Sequence, residues 1–287
     1  MKVTGFTIVR NAEKYDYPVV EAIASVLPVC DNFIVLAGDS DDRTNDLLNS
    51  IQDPKLSIKH IIWDNTLRNG GAVLAAETNK AMAEIPFDSD WAFYIQADEI
   101  VHEKYYNEIK YKMEFWKDKP EVEGLLFGYR HFYGTYDYIG NTTNWYRNEV
   151  RIIRPNSNII SWGDAQGFRK ADGQKIKVKQ IDAKIFHYGW VKHPATQQKK
   201  IENFSQLWQE SYQKKESEPE FDYSNISSLE KFQGSHPSVM TSRIEEKNWT
   251  FVFDKRKIKT GTVEKIRSFI ERKTGWRIGE YKNYKII

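Results

Sequence analysis

Four short apolar segments alternate with helix-like segments through the first third of the chain, and this alternation constrains the fold more than any other feature. The apolar segments read VTGFTIV, NFIVLAG, IKHIIW and WAFYIQ. Between them, YPVVEAIASVL carries apolar residues at helical spacing, and GGAVLAAETNKAMAEI is a second helical segment. Apolar strands that take turns with helices are typical of a parallel sheet covered on both faces. The sequence therefore predicts an α/β fold with a Rossmann-like, mostly parallel central sheet and flanking helices.

The pattern changes at about residue 124. Strand-like segments joined by Gly, Asn and Asp turns follow, such as GLLFGYRHFYGTYDYIG and AKIFHYGWV. They predict a mixed or antiparallel addition to the same sheet rather than an independent domain. Beyond them the sequence predicts a polar amphipathic helix over 195–215, a loop over 216–228 and a basic amphipathic helix in the tail. We therefore expect one domain in two parts, 1–123 and 124–195, with a helical extension over 196–287.

Charge and cysteine content exclude several classes of protein. The 42 Lys and Arg residues balance 40 acidic residues, for a net charge of +2, whereas a dedicated nucleic-acid binder carries a strong basic excess. The single cysteine, Cys30, cannot form an internal disulfide or a cysteine zinc site. The start of the sequence does not resemble a signal peptide, and no apolar run approaches the roughly 20 residues of a membrane helix. We expect a cytoplasmic protein.

Polar residues follow three of the four predicted strands. They are Arg10 and Asn11, the run from Asp39 to Thr44, and the run from Gln96 to Glu99. Ligands of parallel α/β sheets bind beyond the carboxyl ends of the strands, so these clusters should line one crevice. The adjacent acids Asp98 and Glu99 could hold a cation there, or they could simply cap a helix.

Taken together, these segments resemble the nucleotide-sugar half of the family 2 glycosyltransferases, which have the GT-A fold. The later segments RNEVRIIRPN, WGDAQGF and HYGWV resemble the acceptor half of an uncharacterised bacterial branch of that family. The likeness covers about residues 3–195. It implies that the chain transfers a sugar from a nucleotide sugar, UDP by default, to a glycan or lipid-linked acceptor in polysaccharide biosynthesis. It also implies inversion at the sugar carbon and assistance by Mg²⁺ or Mn²⁺.

The resemblance also assigns a metal site. Asp98 is expected as a metal ligand and His187 as a second one, although a histidine beside aromatic residues is often simply a packed core residue. Gln96 stands where the family's DxD element has its first acid, and it can still bind a ribose hydroxyl or a metal-bound water. Glu99 is expected next to the ion without touching it.

Donor-binding residues follow from the same likeness. The turn AGDSDDRT corresponds to the turn that receives base and ribose in the family. Asp42 matches the family pattern, whereas Asp39 stands at its glycine position and could take over the hydrogen bond to base or ribose. Arg10 and Asn11 are expected at the base or phosphates. Asn79 matches a further segment of the family. Lys192 could bind the diphosphate, or it could be a solvated loop charge.

An inverting transferase needs a carboxylate within reach of the acceptor hydroxyl. Asp164 in SWGDAQGF is the favoured base, with Trp162 as a platform for the acceptor sugar, and Asp137 is a weaker choice. Of Arg151 and Arg154, at most one should face the site, leaving the other as a surface charge.

Two other functions and three roles of the tail stay open at this point. The chain could be a weakly active GT-A-like domain that binds nucleotides or sugars without turnover. A sugar-1-phosphate nucleotidyltransferase is less favoured, because GFTIVRNAEKY lacks a glycine-rich phosphate loop. The basic tail helix could pack on the domain, lie on an anionic membrane surface or mediate dimerisation.

Overall fold

The computed structural model describes residues 1–67, 70–155, 158–208, 221–226, 228–254 and 261–287. Its strands are β1 (Val3–Val9), β2 (Asn32–Gly38), β3 (Leu56–Ile61), β4 (Trp91–Tyr94), β5 (Glu99–Val101), β6 (Gly124–Tyr133), β7 (Thr135–Gly140), β8 (Asn148–Ile153), β9 (Ile159–Trp162), β10 (Gly167–Lys170), β11 (Ile176–Trp190), β12 (Leu229–Lys231) and β13 (Tyr284–Ile286). Its α-helices are α1 (Val19–Val26), α2 (Thr44–Asn49), α3 (Ala72–Ala83), α4 (Tyr106–Trp116), α5 (Pro194–Trp208), α6 (Thr241–Glu245) and α7 (Thr262–Thr274).

The first four strands form a parallel sheet in the order β3-β2-β1-β4. Phe6 in the middle of β1 lies between Ile34 of β2 and Tyr94 of β4. Every residue of β1 and β4 is buried, as expected for central strands covered by helices on both faces. The α/β class and the parallel half of the sheet are therefore confirmed.

The sheet continues beyond β4 with a change of strand direction. β8 runs antiparallel to β4, and β6 runs antiparallel to β8. The long strand β11 then pairs with β6 in parallel and with the short β5 in antiparallel orientation. This arrangement confirms the mixed second part of the sheet expected from the sequence.

Two apolar cores lie on the two faces of the sheet. Neighbouring residues of a strand point to opposite faces, so Phe33 and Ile34 of β2 belong to different cores. Phe33 packs in the core that contains Ile23 of α1, whereas Ile34 packs in the core that contains Val73 of α3. The sheet is thereby held between helices, and its strand ends stay at fixed positions.

The segment after residue 195 differs in part from the expected helical extension. It also supplies β12, which pairs with β7, and β13, which pairs in parallel with β11. The helix expected over 195–215 is α5, which is described as far as residue 208, so 209–215 lie outside the described residues. The predicted loop over 216–228 is described only over 221–226 and at 228.

Helix α7 leaves most of its apolar face exposed, and of the residues on that face Ile270 is partly buried. Val263, Ile266 and Phe269 are 63%, 55% and 54% exposed, so these residues are not packed on the domain. The segment that follows α7 is fixed to the domain by Arg277, which donates hydrogen bonds to the carboxylate of Glu271 and to the Trp145 carbonyl. Within the described residues, no helix is long and apolar enough to cross a membrane.

Candidate active site

A cleft of about 820 Å³ opens at the carboxyl ends of β1 and β4. Parallel sheets bind their ligands at this edge. Six residues named from the sequence line the cleft: Arg10, Asn11, Gln96, Asp98, Asp164 and His187. Helix α5 lies along another part of the wall and contributes Lys200 and Phe204.

Arg10 leaves the end of β1 and is held by the neighbouring strand ends. Its guanidinium donates hydrogen bonds to the Asp39 carboxylate (3.0 Å) and to the side-chain oxygen of Asn65 (2.8 Å). It also lies over the Trp63 ring, 5.7 Å from the ring centroid. Arg10, Asn65 and Trp63 all line the cleft, so this end presents a cation and an indole to a ligand.

The turn after β2 supports the cleft rather than lining it. Asn11 has φ of 55°, and its side-chain oxygen accepts a hydrogen bond from the Asp41 backbone (2.9 Å). Asp42 accepts hydrogen bonds from the backbone N–H groups of Thr44 (3.0 Å) and Lys14 (2.7 Å), and thus helps to begin α2. Asp39 and Asp42 are absent from the described lining. Asp39 therefore fixes Arg10, and Asp42 fixes the backbone at Lys14 and Thr44.

Gln96 and Glu99 follow β4 and are held in place by hydrogen bonds. The Gln96 backbone N–H donates to the Glu99 carboxylate (3.1 Å), and the Gln96 amide donates to the Ala165 carbonyl (3.2 Å). Glu99 is fully buried and forms a two-point ion pair with Arg151 at 2.7 and 2.8 Å. The Tyr129 hydroxyl also donates to the Glu99 carboxylate. Both oxygens of Glu99 are therefore engaged behind the cleft surface.

Asp98, His187 and Lys200 meet at the inner part of the cleft. Strand β5 pairs with β11 so that Glu99 lies opposite His187, and this register carries the preceding Asp98 to the imidazole. Asp98 Oδ1 lies 3.7 Å from His187 Nε2, and Asp98 Oδ2 accepts a hydrogen bond from Lys200 Nζ at 3.0 Å. Burial raises the pKa of Asp98, but the positive charges of Lys200, which also donates a hydrogen bond to it, and of Lys192 outweigh burial and hold that pKa well below the usual range. Asp98 is therefore a carboxylate.

The tautomer of His187 is fixed by a second histidine. His131 Nε2 lies 2.8 Å from the Tyr146 carbonyl and must donate to it, while His131 Nδ1 lies 3.2 Å from His187 Nδ1. Burial lowers the pKa of both imidazoles, so both are neutral. His131 Nδ1 then accepts from His187 Nδ1, which leaves the lone pair of His187 Nε2 directed toward Asp98 and the cleft.

Asp164 lies in a tight turn between β9 and β10. Gly163 and Ala165 on either side of it have φ of 64° and 62°, and its carboxylate accepts from the Gln166 backbone (3.3 Å). The Ala165 carbonyl accepts the hydrogen bond from the Gln96 amide. The turn is thus attached to the end of β4, and Asp164 reaches the cleft.

The remaining predicted residues lie elsewhere. Asn79 on α3 pairs with the Ser161 backbone in both directions, and Trp162 stands beside Arg169 with 47% of its surface exposed. Asp137 interacts with Thr135 of its own strand. None of these three predicted residues is among the described lining of the cleft.

The predictions for two basic residues, Lys192 and Arg154, need correction. Lys192 is fully buried, and its ammonium donates to the carbonyls of Tyr15 and Asp16 (2.7 and 3.2 Å) rather than facing the cleft. Burial lowers the pKa of Lys192. Arg154 is not a free surface charge, because it donates to four backbone carbonyls at the end of α4 and beyond. It also lies 4.4 Å from the centroid of the Trp91 ring.

Sequence reasoning missed three residues that matter here. Lys200 gave no signal, because it lies in a polar helix with several similar lysines. Trp63 could have been found, since it is the last residue of the third predicted strand and so lies at the same edge as Arg10. His131 lies inside β6, and only the pairing of β6 with β11 places it beside His187.

The residues present do not fit the divalent cation that the resemblance implies. Mg²⁺ can be held by one carboxylate and the phosphates of a substrate, so the number of ligands alone does not decide. Asp98, however, already has the Lys200 ammonium 3.0 Å from one oxygen. Unit charges about 4 Å apart repel by about 4 kcal/mol near a protein surface, and a divalent ion doubles this. Within the described ranges, no three His, Cys, Asp or Glu side chains form a group that could hold a metal ion.

Comparison with known proteins gives distant structural matches only. No protein-family model and no curated protein matches the sequence. S. aureus TarS 1–349 in complex with UDP-GlcNAc matches 47% of this chain and 36% of its own at 19% identity, with a TM-score of 0.34. Glucosyl-3-phosphoglycerate synthase from Mycobacterium tuberculosis, in complex with Mn²⁺, UDP and glucosyl-3-phosphoglycerate, matches 46% of this chain and 44% of its own at 17% identity, with a TM-score of 0.29.

A third match comes from a different kind of enzyme. The 4-diphosphocytidyl-2C-methyl-D-erythritol synthase of Anaerococcus prevotii matches 71% of this chain and 94% of its own at 11% identity (TM-score 0.38). The chain spans less than half the length of the other two proteins. Likenesses at these levels define neither a substrate nor a reaction for this chain.

Proposed function

We propose that the protein is a glycosyltransferase that moves a sugar from a nucleotide-sugar donor to a glycan or lipid-linked acceptor. The observation that carries this proposal is the convergence of Arg10, Gln96, Asp98 and Asp164 on one cleft at the carboxyl ends of β1 and β4. Cationic and amide groups at one end suit a nucleoside diphosphate. A carboxylate on a separate, tightly held turn suits the activation of an acceptor.

The donor is placed with its nucleoside near Arg10. The Trp63 ring offers a flat apolar surface against which a base can stack, and Asn65 and Asn11 offer polar groups to base and ribose. UDP remains the default nucleotide of the donor, because the sequence resembles the family 2 glycosyltransferases. The diphosphate then extends toward Asp98 and Lys200, and the sugar lies between them and Asp164.

Transfer requires one bond to break and one to form. The bond between the sugar C1 and the β-phosphate oxygen breaks, and its electron pair leaves with that oxygen. The acceptor oxygen attacks C1 from the opposite side and gives its proton to the Asp164 carboxylate. The sugar carbon is inverted, and the nucleoside diphosphate departs with one more negative charge.

The predicted Mg²⁺ or Mn²⁺ is left out of this chemistry because Lys200 already pairs with Asp98. Gln96 has a positioning role, since its amide connects the end of β4 to the Asp164 turn. His187 Nε2 can accept a hydrogen bond from a sugar hydroxyl.

The role of Asp164 is tested with Asp164→Asn. Asp172 provides a matched control, because it also accepts from the backbone two residues on (Gln174, 3.0 Å) and lies in an exposed turn. Hydrolysis of a panel of nucleotide sugars is measured for both variants, together with nucleoside diphosphate binding. We expect Asp164→Asn to lose about 10²- to 10⁴-fold in rate and to keep its binding, while Asp172→Asn matches the wild type. Equal rates for the two variants would remove Asp164 as the base.

The exposed face of α7 supports contact with an anionic membrane surface. Val263, Ile266 and Phe269 are exposed, and Arg272 and Lys273 are exposed in the last turn of the same helix. Apolar residues flanked by basic ones are typical of helices that lie in a lipid interface. Such contact would bring the cleft to lipid-linked acceptors, and we include it in the proposal.

A further inference from the structure

Lys200 is a fixed cation in the wall of the proposed donor cleft. It lies on α5 and is only 9% exposed. Its ammonium donates to Asp98 Oδ2 and to the Gly189 carbonyl, both at 3.0 Å. The rings of Tyr17 and Phe204 lie 5.0 and 5.6 Å away and provide favourable cation–π contacts. An ammonium has three N–H donors, and these two contacts leave one for a ligand.

Backbone packing holds the partner groups of Lys200 in place. A Cβ atom at Gly189 would lie 2.6 Å from His187 Nε2 and 2.7 Å from Asp98 Oδ2. The Gly189 backbone therefore lies directly against both side chains. The Tyr188 N–H also donates to the Asp98 carbonyl (2.8 Å). Asp98 and the Gly189 carbonyl form a rigid pair of acceptors for Lys200.

The acidic groups that could compete for a metal are otherwise engaged. The Glu99 carboxylate accepts hydrogen bonds from Arg151 and Tyr129. An amide, Gln96, stands where a second carboxylate would be expected, and it donates to the Ala165 carbonyl. Asp98 is thus the carboxylate left at the inner cleft, and the Lys200 ammonium pairs with it directly.

From this arrangement we infer that the Lys200 ammonium is the counter-ion of the donor diphosphate and of the departing nucleoside diphosphate, and that the cleft works without a divalent cation. This inference rests on the proposed function and names the group that carries its charge compensation. When the C1–oxygen bond breaks, the electron pair moves to the β-phosphate oxygen, and the fixed ammonium stabilises the added negative charge. Asp98 is a positioning residue that orients Lys200.

Isothermal titration calorimetry of the full chain tests the inference, with inorganic pyrophosphate and UDP as probes. Each is titrated in EDTA and again in Mg²⁺. We expect binding in EDTA, an affinity that Mg²⁺ does not raise, and about 10- to 100-fold weaker binding in Lys200→Met, as for loss of a hydrogen bond to a charged group. Lys200→Arg should retain most of the affinity. Lys199→Met is the matched control, since Lys199 is the exposed neighbour on the same helix, and it should bind like the wild type.

The outcomes separate this inference from the proposed function. Binding that requires Mg²⁺ and is unchanged in Lys200→Met would overturn the inference and leave the glycosyltransferase proposal standing. No binding of either probe in either buffer would overturn both. The wild-type comparison between EDTA and Mg²⁺ decides the metal question even if a Lys200 variant fails to fold.

Discussion

The Glu99 carboxylate and the Arg151 guanidinium face each other through two hydrogen bonds, at 2.7 and 2.8 Å, with neither side chain exposed. Glu99 also accepts from the Gln96 backbone. The pair thus fixes the four-residue stretch 96–99, which contains Asp98, at the inner cleft. A buried ion pair costs desolvation, but removing one partner leaves a buried charge without compensation.

Arg151→Met should therefore destabilise the fold by about 3–5 kcal/mol, measured as the free energy of unfolding in urea. The pair between Glu13 and Arg43 is the matched control, because Arg43 has 77% of its side chain exposed. Arg43→Met should leave the free energy of unfolding close to the wild-type value, because an ion pair in solvent contributes little to stability. Equal effects of the two substitutions would show that burial of the Glu99 pair is unimportant for stability.

Asp98→Asn should leave a folded protein with little activity. The amide keeps the shape of the side chain but loses the charge that orients Lys200. Loss of one such preorganised partner costs about 2.7–4 kcal/mol, or about 10²- to 10³-fold in rate. Donor hydrolysis measures this, and Asp88→Asn, at a half-exposed carboxylate paired with Lys2, is the control. Normal turnover by a folded Asp98→Asn protein would contradict the assignment.

Glu149 predicts a pH dependence of stability. Burial raises the pKa of its carboxyl to about 8, although Arg151 acts in the opposite direction and Glu99 and Asp164 reinforce the rise. The folded protein therefore keeps this proton up to about pH 8, whereas the unfolded chain loses it near the ordinary value of 4.5. The contribution of Glu149 to the free energy of unfolding is therefore fully present below that ordinary pKa. It falls by about 1.4 kcal/mol per pH unit as the pH rises toward 8.

Glu149→Gln copies the protonated carboxyl and removes this titration. Urea unfolding of wild type and variant across pH 5 to 9 should show the variant gaining relative stability as the pH rises, and levelling off above about 8. Other titrating groups are shared by both proteins and cancel in the difference. A difference that does not change with pH would mean that Glu149 is ionised in the folded state.

The exposed face of α7 predicts binding to anionic vesicles. Replacing Val263, Ile266 and Phe269 by Ser should remove most of the protein that floats with phosphatidylserine-containing liposomes, because the apolar contact is lost. Phe87→Ser is the control, since Phe87 is 88% exposed on another part of the surface. Equal flotation of the triple variant and the wild type would exclude α7 as the contact.

The sequence was sufficient to predict the part of the site that depends on strand order. Arg10, Gln96 and Asp98 follow buried apolar strands, and a parallel sheet must bring such ends to one edge. Lys200 could not be found in this way, because it reaches Asp98 from a helix 102 residues away and no local pattern distinguishes it from Lys192. Strands β12 and β13 are three residues long, too short to show a periodic pattern.

A match to a family motif also predicted the role of a residue less well than its position at a strand end did. Asn79 matches the letters of a donor-binding segment, yet its amide is used to attach α3 to β9. His187 was named on the resemblance, whereas its orientation by His131 depends on the register between β6 and β11.

The most direct test of the proposed donor site is a calorimetric titration of the full chain with UDP, GDP, ADP, CDP and dTDP. We predict that at least one binds, and that Arg10→Ala weakens that binding because the base and ribose lose the cation above Trp63. Failure of all five to bind, with Mg²⁺ and without it, would contradict the account.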